Sequence, residues 1–121
     1  MSESVPEIGR LKRRADFLAV AATRRRHAMP GLILQARRRG DADAARVGFT
    51  ASRKVGMSVE RNRARRRLKA AVAQVMGDHA VLGVDYVVIA RTETLKRPFP
   101  ALLADLEAAM KRLDSYAEAR R

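Results

Sequence analysis

Ala64, Leu68, Ala71, Val72 and Val75 recur at offsets of 0, 4, 7, 8 and 11 along the chain. That is the spacing of an α-helix with one apolar face, and it commits a long segment to packing inward through that face alone. Strand-like segments bracket it. Gly56 breaks the chain ahead of the helix, and Ser58 is a suitable N-cap. Beyond it, "DYVVIAR" at residues 85–91 is a nearly continuous apolar run, the pattern of a central strand covered on both faces. Ahead of it, residues 46–52 read as a strand with alternating side chains. Val47, Phe49 and Ala51 share a core face, and Gly48, Thr50 and Ser52 share a small, polar one.

The other elements are arranged around this unit. A first helix is expected to begin near Asp16, a suitable N-cap, with Phe17, Val20 and Ala21 on one face, and "TRRRHAMPG" ends it. Residues 32–37 read as a strand, and the polar "RRRGDADAAR" joins it to 46–52, so these two strands are predicted to form a hairpin. A last helix starting within residues 98–101 carries Leu102, Leu103, Leu106, Met110 and Leu113 as its buried stripe. Residues 1–9 read as a loose arm and 115–121 as a fraying tail of one 121-residue domain.

The same helix is electrostatically ill-placed. Residues 53–69 hold eight bases and one acid, Glu60. A helix N-terminus carries partial positive charge, so each cation in the first turn costs roughly 0.3–1 kcal/mol, and like-charged neighbours add to that. By the helical period, Asn62, Arg65, Arg66 and Lys69 lie on the flank and back, Arg63 and Arg67 on the other side, and Arg61 at the stripe's edge, facing the sheet. A solvated face that keeps the protein soluble is one explanation. An anionic partner is the other, and composition favours it: the net charge is +13, with 21 Arg against 5 Lys. Guanidinium is planar and bidentate, which suits phosphate.

RNA fits better than DNA, because no helix-turn-helix pair, zinc finger or zipper heptad is present. A small polar sheet face beside an aromatic suits a single strand. Phe17 fits equally a core position of the first helix and such a stacking platform. Catalysis by the chain itself lacks a basis in the sequence. There is no cysteine, His27 and His79 are far apart, and the one close acid pair, Asp41 and Asp43, falls in the polar loop. No segment approaches the roughly 20 apolar residues of a spanning helix, so a soluble, cytoplasmic protein is expected.

Three stretches resemble the protein component of bacterial ribonuclease P in order and spacing: "RLKRRADF" at 10–17, "RVGFTASRKVGMSVERNRARRRLK" at 46–69 and "DYVVIAR" at 85–91. The run Arg61-Asn62-Arg63 followed by Arg65, Arg66 and Lys69, in the company of Lys54 and Gly56, is the most specific part. The resemblance implies an α+β fold, a two-layer sandwich of a four-stranded mixed sheet and three helices. It also implies a left-handed crossover around the arginine-rich helix, against the general rule that about 98% of such connections are right-handed.

For function, the resemblance implies a subunit of an RNA enzyme that removes the 5′ leader of precursor tRNA by hydrolysis. Catalysis and the Mg2+ belong to a catalytic RNA subunit. No residue of the chain is then catalytic or metal-binding, and neither a membrane nor an obligate protein partner is expected. Carried over residue by residue, a leader-binding cleft would use Phe17, Arg46, Thr50 and Ser52. A surface for the catalytic RNA would use Arg53, Lys54, Arg61, Asn62, Arg63, Arg65, Arg66 and Lys69. Ala21 and Gln35 stand where the family commonly has further aromatics, and Arg53 where it commonly has lysine. A ribosomal or RNA-chaperone module is the alternative, with a polybasic membrane-surface protein a weaker third.

Overall fold

The apolar run read as a central strand is one. In the computed structural model, which describes residues 8–118, Val84–Ala90 is buried on nearly every side chain. The elements, in chain order, are β1 (Gly9–Arg10), α1 (Arg14–Ala22), β2 (Arg26–Met29), β3 (Leu32–Arg38), β4 (Arg46–Thr50), α2 (Ser58–His79), β5 (Val84–Ala90) and α3 (Phe99–Arg112), with a 3-10 turn at Thr92–Leu95. The strands lie in the order β1-β4-β5-β3-β2. β4 runs parallel to both β1 and β5, whereas β3 is antiparallel to both β5 and β2. The sheet is thus mixed, with the three expected helices. A fifth strand arises because Gly9–Arg10, expected within or beside the loose arm, pairs with Arg46 and Val47. Residues 1–7 of that arm lie outside the described residues.

The predicted hairpin of 32–37 with 46–52 does not form. β5 lies between the two strands, and β3 makes its hairpin with β2 through the two-residue turn Pro30–Gly31. The physical reason is coverage: a strand apolar on both faces gains most in the middle of a sheet. The polar loop then has to cross the end of β5, and it is pinned there, with Arg39 N–H donating to the Gly83 carbonyl and Gly83 N–H to the Asp43 carbonyl, both at 2.8 Å.

The main core lies on one face of the sheet. Leu32, Leu34 and Ala36 of β3, Val47 of β4 and Tyr86 and Val88 of β5 meet the predicted α2 stripe, extended by Met76, and Leu102, Leu106, Ala109 and Met110 of α3. α1 packs on the other face over a smaller cluster of Leu11, Val20 and Val87, joined by Phe17 and Ile89. That face is only partly covered.

Several ends differ from expectation. α1 begins at Arg14 with Arg13 as N-cap, and Asp16 sits in the first turn. α2 is capped at Met57 rather than Ser58, because Glu60 reaches back and accepts the Met57 N–H at 2.8 Å. The tail expected to fray is anchored through Ala117. Tyr86 Oη donates to the Ser115 carbonyl at 2.7 Å, Ala117 N–H donates to the His79 carbonyl at 2.7 Å, and Tyr116 stacks on His79 with centroids 4.3 Å apart. Residues 119–121 lie outside the described residues. No helix among the described residues is long and apolar enough to cross a membrane.

Candidate nucleic-acid interface

α2 starts from a tight turn in which Val55 N–H donates to the Ser52 carbonyl and Gly56 N–H to the Arg53 carbonyl, both at 3.1 Å. Gly56 has φ +148°, and a Cβ there would come within 2.8 Å of Glu60. A side chain would therefore push away the residue that caps the helix. The single acid of the segment is engaged on the first N–H groups, where its charge also suits the helix dipole. It leaves the arginines unneutralised: none of the ion pairs among the described residues involves a cation from Arg53 to Lys69.

These cations divide into two sets. Arg61 folds back, its Nη1 donating to the Gly56 carbonyl at 3.1 Å, so it holds the turn instead of facing the sheet as expected. Arg67 donates to the carbonyls of Leu95, at 2.9 Å, and Arg97, clasping α2 to the 3-10 turn ahead of α3. Arg53, Lys54, Arg63, Arg66 and Lys69 are exposed. Arg65 holds Asn62 Oδ1 at 2.7 Å, and the pair lines a hollow of about 360 Å³ with Arg66 and Lys69. A second hollow of about 540 Å³ brings Arg53 and Arg61 together around the Gly56–Ser58 turn. Arg63 lines neither.

On the α1 face the strand registers set three rows. Thr50, Ile89 and Ile33 form one; Gly48, Val87 and Gln35 the next; Arg46, Asp85 and Arg37 the third. Phe17 lies directly on the middle row, since a Cβ on Gly48 would be 2.5 Å from two of its ring carbons. Phe17 joins the small cluster under α1, and it lines a cavity of about 210 Å³. Ser52 does not join this face: β4 ends at Thr50, and Ser52 Oγ in the following turn accepts the Lys54 N–H at 3.3 Å.

Arg46 is present on the face but engaged. Its Nε and Nη2 donate to the two oxygens of fully buried Asp85 at 2.9 and 2.7 Å, and Asp16 of α1 is 3.8 Å from its Nη1. Arg39 donates to the same Asp85 at 2.5 Å, and Arg37 lies 3.7 Å away. Burial raises the Asp85 carboxyl, but the hydrogen bonds from Arg46 and Arg39 outweigh it and hold it below the usual carboxylate range.

The ribonuclease P family model matches residues 5–114 of the chain. The chain belongs to the ribonuclease P protein family. It is 63% identical over 110 residues to the ribonuclease P protein component of Paramagnetospirillum magneticum, covering 88% of this chain and 83% of that one. It is 50% identical over 103 residues to that of Gluconacetobacter diazotrophicus, covering 85% and 89%. Among solved structures, the ribonuclease P protein of Thermotoga maritima superposes with a TM-score of 0.71 at 25% identity, over 85% of this chain and 96% of that one. That of Staphylococcus aureus gives 0.73 at 24% identity, over 91% and 99%, a likeness of fold.

Within this ribonuclease P family chain, sequence reasoning missed two participants. Asp85 anchors the arginines at one end of the α1 face, and a lone acid opening an otherwise apolar strand was its signal, since a buried carboxylate needs cations beside it. Arg10 lines the cavity at Phe17, and only the pairing of β1 with β4 puts it there.

Proposed function

We propose that this member of the ribonuclease P family positions RNA: the exposed cations of α2 and its preceding turn bind the catalytic RNA, and the α1–sheet cleft receives the 5′ leader of precursor tRNA. Family membership makes the chain a protein subunit of the ribonuclease P endoribonuclease, working with ribonuclease P RNA in tRNA 5′ processing. The observation that supports the division of labour is the state of the charges. Among the described residues the α2 cations carry no carboxylate partners, so phosphate can take them without breaking an ion pair, whereas the cleft offers one aromatic over a small-residue strand.

Hydrolysis, with its Mg2+, is assigned to the RNA. Asp41 of the close acid pair supports this, because its carboxylate is engaged in turn structure: it accepts from Arg39 at 2.9 and 3.1 Å and from the Asp43 N–H at 3.0 Å. Reconstitution of the chain with its catalytic RNA, using precursor tRNA as substrate, tests the assignment. Cleavage at the mature 5′ end is expected only with both subunits, and cleavage by RNA-free protein would overturn it. In the same assembly, Phe17→Ala is expected to weaken precursor tRNA by up to about 1–3 kcal/mol while sparing mature tRNA. Equal losses for both would remove the leader from the cleft.

A further inference from the structure

We propose that Lys69 is an acylation switch. An acetyl group transferred to its Nζ from an acyl thioester removes the charge, seats in an apolar hollow between β1, β4 and α2, and weakens the hold on the catalytic RNA. The switch regulates the α2 surface and rests on the reading of that surface as the one for the catalytic RNA. Of the eight bases from Arg53 to Lys69, six are arginine. A guanidinium stays charged, whereas a lysine amine is a target of acyl transfer, so within this run only Lys54 and Lys69 can be neutralised in this way.

The two lysines are placed differently. Lys69 is exposed near the middle of α2 and lines three spaces: the hollow of about 360 Å³ with Arg65 and Arg66, the cavity of about 210 Å³ at Phe17, and a further hollow of about 240 Å³. Lys54 lines none of them. The further hollow is walled by Ile8, Val47, Phe49, Val72 and Ala73, and among the described residues Arg10 and Lys69 are the charged groups that line it. The Lys69 ammonium is 5.9 Å from the Phe49 ring centroid, at this wall. While charged, it keeps to water or phosphate at the end of its apolar stem. Acylation reverses that preference, because the amide is neutral and its methyl gains by leaving water for the apolar wall beside it. The side chain is then drawn away from the hollow it shares with Arg65 and Arg66. In the step itself, the deprotonated Nζ attacks the thioester carbonyl; an N–C bond forms, the C–S bond breaks, and the proton displaced from nitrogen passes to the departing thiolate. One amide and one thiol result, and position 69 is left without charge.

The test compares wild type with the full chain carrying acetyl-lysine at position 69, introduced during synthesis, in assembly with the catalytic RNA. Acetylation is expected to leave thermal unfolding unchanged and to lower RNA affinity roughly two- to tenfold, the scale of one charged contact. The salt slope should become shallower by at most about 0.9 logarithmic units. An isotope-labelled acetyl methyl should show nuclear Overhauser contacts to Phe49 and Val72, and a methyl without them overturns the seat. Wild type incubated with acetyl coenzyme A should be modified at Lys69, read by mass spectrometry, and bound catalytic RNA should protect that site. Lys69 left unmodified overturns the switch. An acetylated chain that binds the RNA as wild type does, while Arg65→Gln with Arg66→Gln binds it more weakly, overturns the switch alone. If neither change weakens binding, the reading of α2 falls with it.

Discussion

Two clusters of arginine, one under the sheet and one along α2, show how the same side chain is given opposite roles. Arg39 and Arg46 converge with Arg37 on a single buried carboxylate, Asp85, and their charge is satisfied inside the fold. Arg63, Arg65 and Arg66 form no ion pair among the described residues, and their charge is not satisfied inside the fold by a carboxylate. The difference lies in the neighbours and not in the arginines. A buried acid turns cations into a clamp between β3, β4, β5 and, through Asp16, α1; an acid withdrawn to a helix cap leaves the cations around it without a carboxylate partner among the described residues.

The strongest way to break this contrast is to remove the acid. Asp85→Ala leaves three guanidinium groups converging on an empty centre, and a loss of about 3 kcal/mol or more is expected in denaturant unfolding, the scale for orphaning a buried charge. A loss below about 1 kcal/mol would show that the clamp is solvated and adds little. Arg67→Ala should come next. It removes two hydrogen bonds from α2 to the backbone of residues 95 and 97, so about 1–2 kcal/mol of stability is expected to go. The salt dependence of RNA binding should not change, although Arg67 lies inside the arginine-rich run.

The pair Arg65→Gln and Arg66→Gln sharpens the comparison from the other side. Helix propensity is preserved and self-repulsion falls, so unfolding should be unchanged or slightly later. The salt slope of binding to the catalytic RNA should become shallower by at most about 0.9 logarithmic units per lost phosphate contact, by the duplex scale. A double variant that unfolds more readily yet keeps its salt slope would place those arginines with the clamp. The smallest effect is the pH response. A carboxyl held below its ordinary value when folded stabilises the protein above the unfolded value, near 3.9, and that contribution disappears as pH falls through the lower folded value. Wild-type stability should therefore be flat from neutral pH down to about 5 and decline below about 4, with Asp85→Asn losing part of that acid-dependent decline.

Much of the molecule was legible in the chain because its determinants are local. The α2 stripe, the two-sided β5 run and the α3 stripe are periodicities, and a periodicity fixes which face is buried before any partner is known. The arginine-rich run was legible as an unneutralised segment for the same reason: seventeen residues with one acid cannot neutralise themselves. The partner of each strand was not legible. Placing 32–37 beside 46–52 followed from their nearness in sequence, whereas the outcome depended on β5, more than thirty residues later, competing for the central place. Pairing energy is non-local, and no window of sequence contains it. The same holds for individual charges. Arg46 and Arg65 are indistinguishable as letters, and only tertiary structure decided that one meets Asp85 and the other faces outward, because a charge takes its role from what the fold brings within a few ångströms of it.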